Sequence, residues 1–243
     1  MSKTAALIQA RMSSNRFPGK VLESLGGLPM IVFMAGRVRR AATLEEVAVV
    51  TSVEPSDDVL AAVLARYGIP CFRGDLHDVL SRYAAAAAAH QATEIVRLTG
   101  DCPLADPAVI DRVVRARRDA DADYASNIEP RTFPDGLDVE CFTRAALERA
   151  AQEARDQPDR EHVTPWMRGA GNGLRRIGVR TILDGSRLRL TVDYPADLAA
   201  IRRLIEFVDR APDAFDMFDM LRCLADHPEI IEMNASAGRL ETT

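Results

Sequence analysis

The sequence predicts a three-layer α/β/α fold, in which helices cover both faces of a mainly parallel sheet. In the first half of the 243-residue chain, short apolar runs alternate with longer segments. The apolar residues of those longer segments recur every three or four positions, as in a helix with one buried face. The composition, 47% hydrophobic and 28% charged, is that of a globular protein. Alternating strands and helices are typical of a parallel sheet with helical connections.

The first half supplies most of the regular elements. Strands are predicted at 5–9, 46–52 and 94–100, and helices at 29–42, 56–68, 78–91 and 106–119. Ser56 is a suitable N-cap for the second of these helices, and Gly68 is a suitable stop. A further strand is expected just before Arg73 and Gly74.

The second half is less regular. Strands are predicted at 137–142 and 187–192, and helices at 144–154, 161–168 and 195–209. Four residues further on have helical spacing and are expected to pack in the interior: Met217, Phe218, Met220 and Leu221. The last ten residues are expected to be mobile, because chain ends are seldom tied down.

Bulk properties exclude several classes of protein. A net charge of -5 argues against a general nucleic-acid binder, which needs concentrated positive charge. No stretch is long and apolar enough to span a bilayer, and the N-terminus lacks the regions of a signal peptide. The four cysteines are far apart in sequence and form no metal-binding pair, which favours a reducing, cytoplasmic location without disulfides.

The loop after the first strand, residues 10–20, is the most informative segment. It carries three cations, Arg11, Arg16 and Lys20, and no acidic residue. In open α/β sheets, ligands bind beyond the carboxyl ends of the strands, where this loop lies. Cations and free backbone N–H groups in such a loop suit a polyphosphate. The loop lacks the glycine and hydroxyl residues of a Walker A motif, and taken alone it is equally compatible with a solvated basic loop.

Two aspartates follow apolar strands at the same predicted edge of the sheet. Asp101 comes after the strand at 94–100, and Asp193 comes after the strand at 187–192; each precedes a proline. Carboxylates facing a phosphate loop are natural ligands for Mg²⁺. Singly, Asp101 is compatible with a simple turn and Asp193 with a helix cap. If the two lie close together they repel, so Asn at either position is expected to leave folding stability unchanged or raised.

The ordered set of motifs resembles the nucleotide-sugar cytidylyltransferases. The set is A-R-x-x-S-x-R-x-P-G-K at 10–20, T-G-D-C-P at 99–103 and V-D-x-P at 192–195. That superfamily includes the CMP-3-deoxy-manno-octulosonate and CMP-acylneuraminate synthetases. The segments 97–103, 136–140 and 159–164 are similar to the spore-coat polysaccharide biosynthesis protein F branch in particular. The resemblance implies a single domain over 1–243 with a Rossmann-like, nucleotide-diphospho-sugar transferase-like fold.

The resemblance also implies the division of the domain and the roles of individual residues. Residues 1–125 would form the nucleotide-binding half, 126–210 the sugar-binding and dimerisation half, and 211–243 a C-terminal helix and tail. The implied nucleotide-binding residues are Ala10, Arg11, Ser13, Arg16, Lys20, Arg73, Thr99, Gly100 and Asp101, with Arg73 near the base. The implied sugar-binding residues are Asn127, Asp135, Gly136, Asp138, Glu140, Arg160, Glu161 and His162. Asp101 and Asp193 would hold Mg²⁺, and Arg11 and Lys20 complete the catalytic set.

The expected function is transfer of CMP from CTP to a sugar or sugar acid, with release of pyrophosphate, by a cytoplasmic homodimer in polysaccharide or glycan biosynthesis. Phe17, Tyr194 and Ala196 depart from the usual pattern and leave the sugar unidentified. Three alternatives stay open: use of another nucleotide, a glycosyltransferase of similar fold, and a catalytically silent nucleotide-binding module. The lysine-bearing loop favours a triphosphate donor over the glycosyltransferase.

Overall fold

The computed structural model describes residues 3–208, 210–211 and 214–235. The strands are β1 Thr4–Gln9, β2 Ser24–Leu25, β3 Leu28–Pro29, β4 Glu46–Ser52, β5 Cys71–Gly74, β6 Glu94–Thr99, β7 Tyr124–Ser126, β8 Glu140–Thr143 and β9 Arg176–Gly178. The helices are α1 Met30–Val38, α2 Asp58–Arg66, α3 Val79–Ala89, α4 Pro107–Asp119, α5 Arg144–Glu153, α6 Gln157–His162, α7 Pro165–Arg168, α8 Pro195–Phe207, α9 Met217–Asp226 and α10 Glu229–Asn234.

A central sheet holds seven strands of the described chain in the order β5-β4-β1-β6-β8-β7-β9. Strands β5, β4, β1 and β6 are parallel, β8 runs antiparallel to β6 and β7, and β9 is parallel to β7. The side chains of β1 alternate between two hydrophobic cores. Ala6 and Ile8 pack with α1 and α4, whereas Ala5 and Leu7 pack with α3 and α5. This alternation confirms the predicted three layers, because strand side chains point to opposite faces in turn.

The predicted elements of the first half are confirmed, with helices a few residues shorter than expected. Ser56 is not the N-cap of α2, because a 3-10 turn at Pro55–Asp57 precedes the helix and Asp57 occupies the N-cap position. The short strands β2, β3, β7 and β9 were not predicted, since two or three residues carry too little periodicity.

The second half corrects three predictions. Segment 187–192 is not a strand: Leu190 N–H donates to Asp135 O (2.6 Å) and Val192 N–H to Asp101 O (2.7 Å), so it bridges two loops. The predicted strand at 137–142 is reduced to β8. The predicted helix at 161–168 is split at Val163, whose φ is 72°, between α6 and α7.

The C-terminal region is helical, as predicted. Met217 and Met220 of α9 are buried, but Phe218 is 54% exposed, so its predicted packing role is wrong. Asn234 is buried, and residues 236–243 of the predicted mobile tail lie outside the described residues. In the described ranges the four cysteines are free thiols, and no helix there has the length and apolarity needed to cross a membrane.

Candidate active site

A cavity of about 390 Å³ opens at the carboxyl ends of β1 and β6. It is lined by Gln9, Ala10, Arg11, Ser14, Asn15, Arg16, Lys20, Val21, Arg97, Thr99, Gly100, Asp101, His162 and Asp193. The cavity therefore brings together the loop at 10–20 and both predicted metal ligands, although these segments are far apart in sequence.

A buried carboxylate fixes the start of the loop at 10–20. The Met12 N–H donates to Asp57 Oδ1 at 2.7 Å, and the Ser52 N–H and hydroxyl donate to Asp57 Oδ2. Burial raises the pKa of Asp57, but these hydrogen bonds outweigh it and hold the pKa below its ordinary value. At the far end of the loop, Gly19 has φ 75° and donates to Met12 O at 2.9 Å. This left-handed residue turns the chain so that Lys20 points back into the cavity.

Lys20 lies between the two aspartates. Its buried ammonium is 3.0 Å from Asp193 Oδ1 and 3.6 Å from Asp101 Oδ2, and it donates to Val192 O at 2.6 Å. Both carboxylates thus face one cation at the same edge of the sheet, as the sequence predicts. The arrangement relieves the repulsion that two close carboxylates otherwise have.

Asp193 is surrounded by three cations. In addition to Lys20, Arg16 Nη2 is 2.8 Å from Asp193 Oδ1, and Arg189 Nη2 donates to Asp193 Oδ2 at 2.8 Å. Burial raises the pKa of Asp193, but Lys20 and Arg16 outweigh it and hold the pKa below its ordinary value. Asp101, by contrast, keeps 30% of its side chain exposed.

Close contact between the ends of β1 and β6 explains the small residues of the motifs. A Cβ atom on Gly100 would lie 3.0 Å from Ala10 Cβ and 3.0 Å from Gln9 O. The Gly100 N–H donates to Gln9 O at 2.7 Å. A side chain at position 100 would therefore fit only if the ends of the two strands moved apart by a few tenths of an ångström.

The floor of the cavity contains an arginine that the sequence analysis did not single out. Arg97 Nη1 donates to Glu140 Oε2, Arg97 Nη2 donates to Gln9 Oε1 at 3.4 Å, and the Tyr124 hydroxyl donates to Glu140 Oε1 at 2.6 Å. Burial raises the pKa of Glu140, but Arg97 and Tyr124 outweigh it, so the pKa is lowered overall. The signal available in the sequence is a charged residue in the middle of β6, between the buried apolar residues Val96 and Leu98.

Two of the predicted nucleotide-binding residues do not line the cavity. Ser13 is exposed and outside the cavity lining, whereas Ser14, the serine of the motif, lines it. Arg73 also lies outside the lining: its Nε donates to Ser52 O at 2.9 Å and its Nη2 to Asp58 Oδ1 at 2.7 Å. Arg73 lies within β5 and is bound to the segment that follows β4, which explains its position.

The predicted sugar-binding residues do not form one cluster around this cavity. His162 lines it and Glu140 lies beneath it, while Asp135 and Asp138 pair with Arg131 at 3.7 and 2.7 Å.

Three of the remaining residues make structural contacts outside the cavity lining. Asn127 bonds to Leu137 O (2.7 Å) and Val139 N (2.8 Å). Gly136 has φ 104°, and a Cβ there would lie 2.4 Å from Leu190 C. Arg160 binds Asp78 and Ala151 O, and Glu161 follows it in α6 outside the cavity lining. These contacts give the three residues a role in holding the loops.

The two carboxylates at the cavity have oxygen ligands of the kind that a hard cation such as Mg²⁺ takes. Asp101 offers a partly exposed carboxylate, and Asp193 offers Oδ1, which the half-exposed Arg16 side chain contacts together with Lys20. Among the described residues no group of three or more His, Cys, Asp or Glu side chains is placed to hold a metal by itself. A divalent ion at this position would therefore need oxygens from a bound ligand, as Mg²⁺ commonly takes from phosphates.

The fold is that of the nucleotidyltransferases, and the cation-lined cavity lies beyond the carboxyl ends of the strands, where open α/β sheets bind ligands. Residues 5–221 match the cytidylyltransferase family, and the chain belongs to it.

Three relatives illustrate the likeness. A cytidylyltransferase structure from Leptospira borgpetersenii has a TM-score of 0.89 and 32% identity, covering 95% of this chain and 97% of that one. Protein MJ1063 of Methanocaldococcus jannaschii is 32% identical over 226 residues, 86% of this chain and 92% of its own. Spore coat polysaccharide biosynthesis protein SpsF of Bacillus subtilis is 30% identical over 220 residues, which cover 88% of this chain and 90% of SpsF. The resemblance predicted from the motifs is confirmed.

Proposed function

We propose that the protein transfers CMP from CTP to a hydroxyl of a sugar or sugar acid and releases pyrophosphate. The observation that carries the proposal is the position of Lys20 between Asp101 and Asp193, in a cavity that Arg11 and Arg16 also line. The cavity holds more cations than its two aspartates neutralise, and a triphosphate supplies the missing negative charge. The polysaccharide role of SpsF supports a similar biosynthetic setting for the product.

The chain's own groups position the nucleotide and neutralise charge. Arg11, which forms no ion pair with another described residue, and Arg16, at the cavity rim, bind the outer phosphates. Lys20 stabilises the charge that develops on the α-phosphate as the sugar hydroxyl attacks in line. Because these groups are already oriented by the loop at 10–20, little reorganisation is needed in the transition state.

Asp101 and Asp193 would hold Mg²⁺ together with the phosphates. The ion, when bound, lowers the pKa of the attacking hydroxyl and neutralises phosphate charge. For this, Arg16 moves from Asp193 Oδ1 to the phosphates, a small change for a side chain that is 43% exposed. Arg189 stays on Asp193 Oδ2 and keeps the carboxylate oriented.

We also propose that the active form is a homodimer. Ile182 is 98% exposed and Leu183 is 48% exposed, side by side in the predicted dimerisation half. Adjacent exposed apolar side chains are costly in water and suit a protein contact. Light scattering at micromolar concentration is expected to give twice the monomer mass of 26.6 kDa, and a monomer mass contradicts the proposal.

The test of the reaction is pyrophosphate release from each of the four nucleoside triphosphates, with Mg²⁺, against a panel of sugars and sugar acids. Release is expected with CTP and one class of acceptor, and calorimetry is expected to show tighter binding of CTP than of the other three. Equal use of all four nucleotides refutes the choice of CTP. Release of a nucleoside diphosphate from a nucleotide sugar identifies a glycosyltransferase instead, and nucleotide binding without turnover identifies a silent binding module.

A further inference from the structure

A buried network stands behind Asp193. Asp197, in the first turn of α8, is fully buried, and its Oδ2 accepts the N–H groups of Asp193 (2.8 Å) and Tyr194 (2.9 Å). Arg189 connects the same two carboxylates: its Nε donates to Asp197 Oδ1 at 3.2 Å, and its Nη2 donates to Asp193 Oδ2 at 2.8 Å. The backbone and the side chain of Asp193 are therefore both held by Asp197 and Arg189.

The C-terminal helix α10 completes this network. Asn234, its last residue, is 4% exposed. Its Nδ2 donates to Asp197 Oδ1 and to Arg189 O, both at 3.2 Å. Asn234 lies outside the residues 5–221 that match the cytidylyltransferase family. A side chain beyond the matched segment thus contacts both groups that orient Asp193.

We propose that Asn234, at the end of α10, is a positioning residue for Asp193. Without the Asn234 amide, the buried Asp197 Oδ1 keeps only Arg189, and Arg189 O loses its side-chain donor. A buried acceptor that loses a donor is costly, so a neighbouring donor moves to replace the lost hydrogen bond. Arg189 therefore shifts toward Asp197 and releases Asp193 Oδ2. The consequence for turnover rests on the proposed function; the contacts themselves do not.

A simpler role for Asn234 is to dock α10 on the protein. The buried residue Ile230 of the same helix also docks it, through apolar contacts in the core that includes α8. Ile230→Ala therefore loosens the helix without removing a polar contact from the network. It is the matched control for two variants, Asn234→Ala and Asn234→Leu, which differ in size and share the loss of the donor.

The experiment measures steady-state kinetics and amide hydrogen exchange in all four full-length proteins. Both Asn234 variants are expected to lose about tenfold or more in kcat, the usual effect of removing a group that orients a metal ligand, with a smaller change in KM for CTP. Exchange of the Asp193 and Tyr194 amides is expected to accelerate. Ile230→Ala is expected to lower Tm at least as much while keeping kcat within about twofold.

Kinetics of the Asn234 variants that match those of Ile230→Ala at equal stability overturn the proposal. So does unchanged exchange at Asp193 and Tyr194. If the wild type releases no pyrophosphate from any triphosphate, the proposed function fails, but amide exchange still tests the positioning role. Faster exchange in the Asn234 variants alone then supports that role.

Discussion

The cations of the loop at 10–20 and the arginines of the second half are used in different ways. Arg11 forms no ion pair within the described residues, and Arg16 and Lys20 face the cavity. In the second half, Arg131 pairs with Asp138 at 2.7 Å, and Arg189 contacts Asp135, Asp193 and Asp197. The cations of the first region line the cavity, where a ligand can contact them, whereas Arg131 and Arg189 lie outside its lining and hold carboxylates in place.

The position of a cation relative to the cavity determines whether it can act directly on a ligand. A paired arginine outside the cavity lining, such as Arg131, cannot contact a ligand there and acts only through the carboxylate that it holds. A cation that lines the cavity is placed to contact a phosphate there, even where it also contacts a carboxylate, as Lys20 does. Substitutions in the first region should therefore reduce activity directly, and those in the second should act through the orientation of other groups.

Lys20→Met is expected to have the largest effect. It removes a cation that contacts both aspartates, and loss of one such group commonly costs about 10²–10³ in kcat. Pyrophosphate release with CTP measures the effect. Lys3→Met is the matched control, because Lys3 is the other lysine of the chain and pairs with Glu46 at the amino end of the sheet. Equal activity of the two variants contradicts the assignment of Lys20.

The variants Asp101→Asn and Asp193→Asn test separately what each aspartate contributes to activity and to stability. Each is expected to lower kcat by about 100-fold or more if both hold Mg²⁺. The structure changes the expectation for stability, because three cations surround Asp193 whereas Asp101 is partly exposed. Asp193→Asn is expected to lower the free energy of unfolding by about 1–3 kcal/mol, and Asp101→Asn by much less. Urea denaturation at pH 7 measures both, and equal losses contradict this assignment.

The stability difference between wild type and Asp193→Asn should depend on pH. The pKa of Asp193 is lowered by folding, so its charge stabilises the folded state fully above the unfolded pKa, about 4. That stabilisation is lost as the pH falls through the lower, folded-state pKa. Urea curves recorded between pH 7 and pH 3 are expected to converge in this acidic range, and a constant difference shows that Asp193 contributes no charge interaction.

His162→Ala is expected to have the smallest effect. The His162 side chain is exposed and lines the cavity, so it contributes at most one contact to the acceptor. The KM for the sugar is expected to rise about fivefold, with the KM for CTP unchanged, because one hydrogen bond is worth about 1 kcal/mol. His90→Ala is the control, since His90 binds Glu46 at the opposite end of the sheet. A change only in the KM for CTP assigns His162 to the nucleotide instead.

The sequence by itself determined the layers of the first half and the set of residues around Lys20. Hydrophobic periodicity predicts β1, β4 and β6 and the helices between them, because those elements are long enough to show their period. Parallel strands joined by helical crossovers place their carboxyl ends at one edge. For this reason the sequence alone predicts that Asp101 lies close to the loop at 10–20.

Only the tertiary structure decided the rest. The sequence pattern of segment 187–192 predicts a strand, but its amides donate to Asp101 O and Asp135 O in two loops. Arg73 is held by Ser52 O and Asp58, and Asn234 reaches Asp197 and Arg189 from the end of the chain. Such contacts join residues far apart in sequence and leave no local period or spacing, so packing alone determines which charges stay open and which are paired.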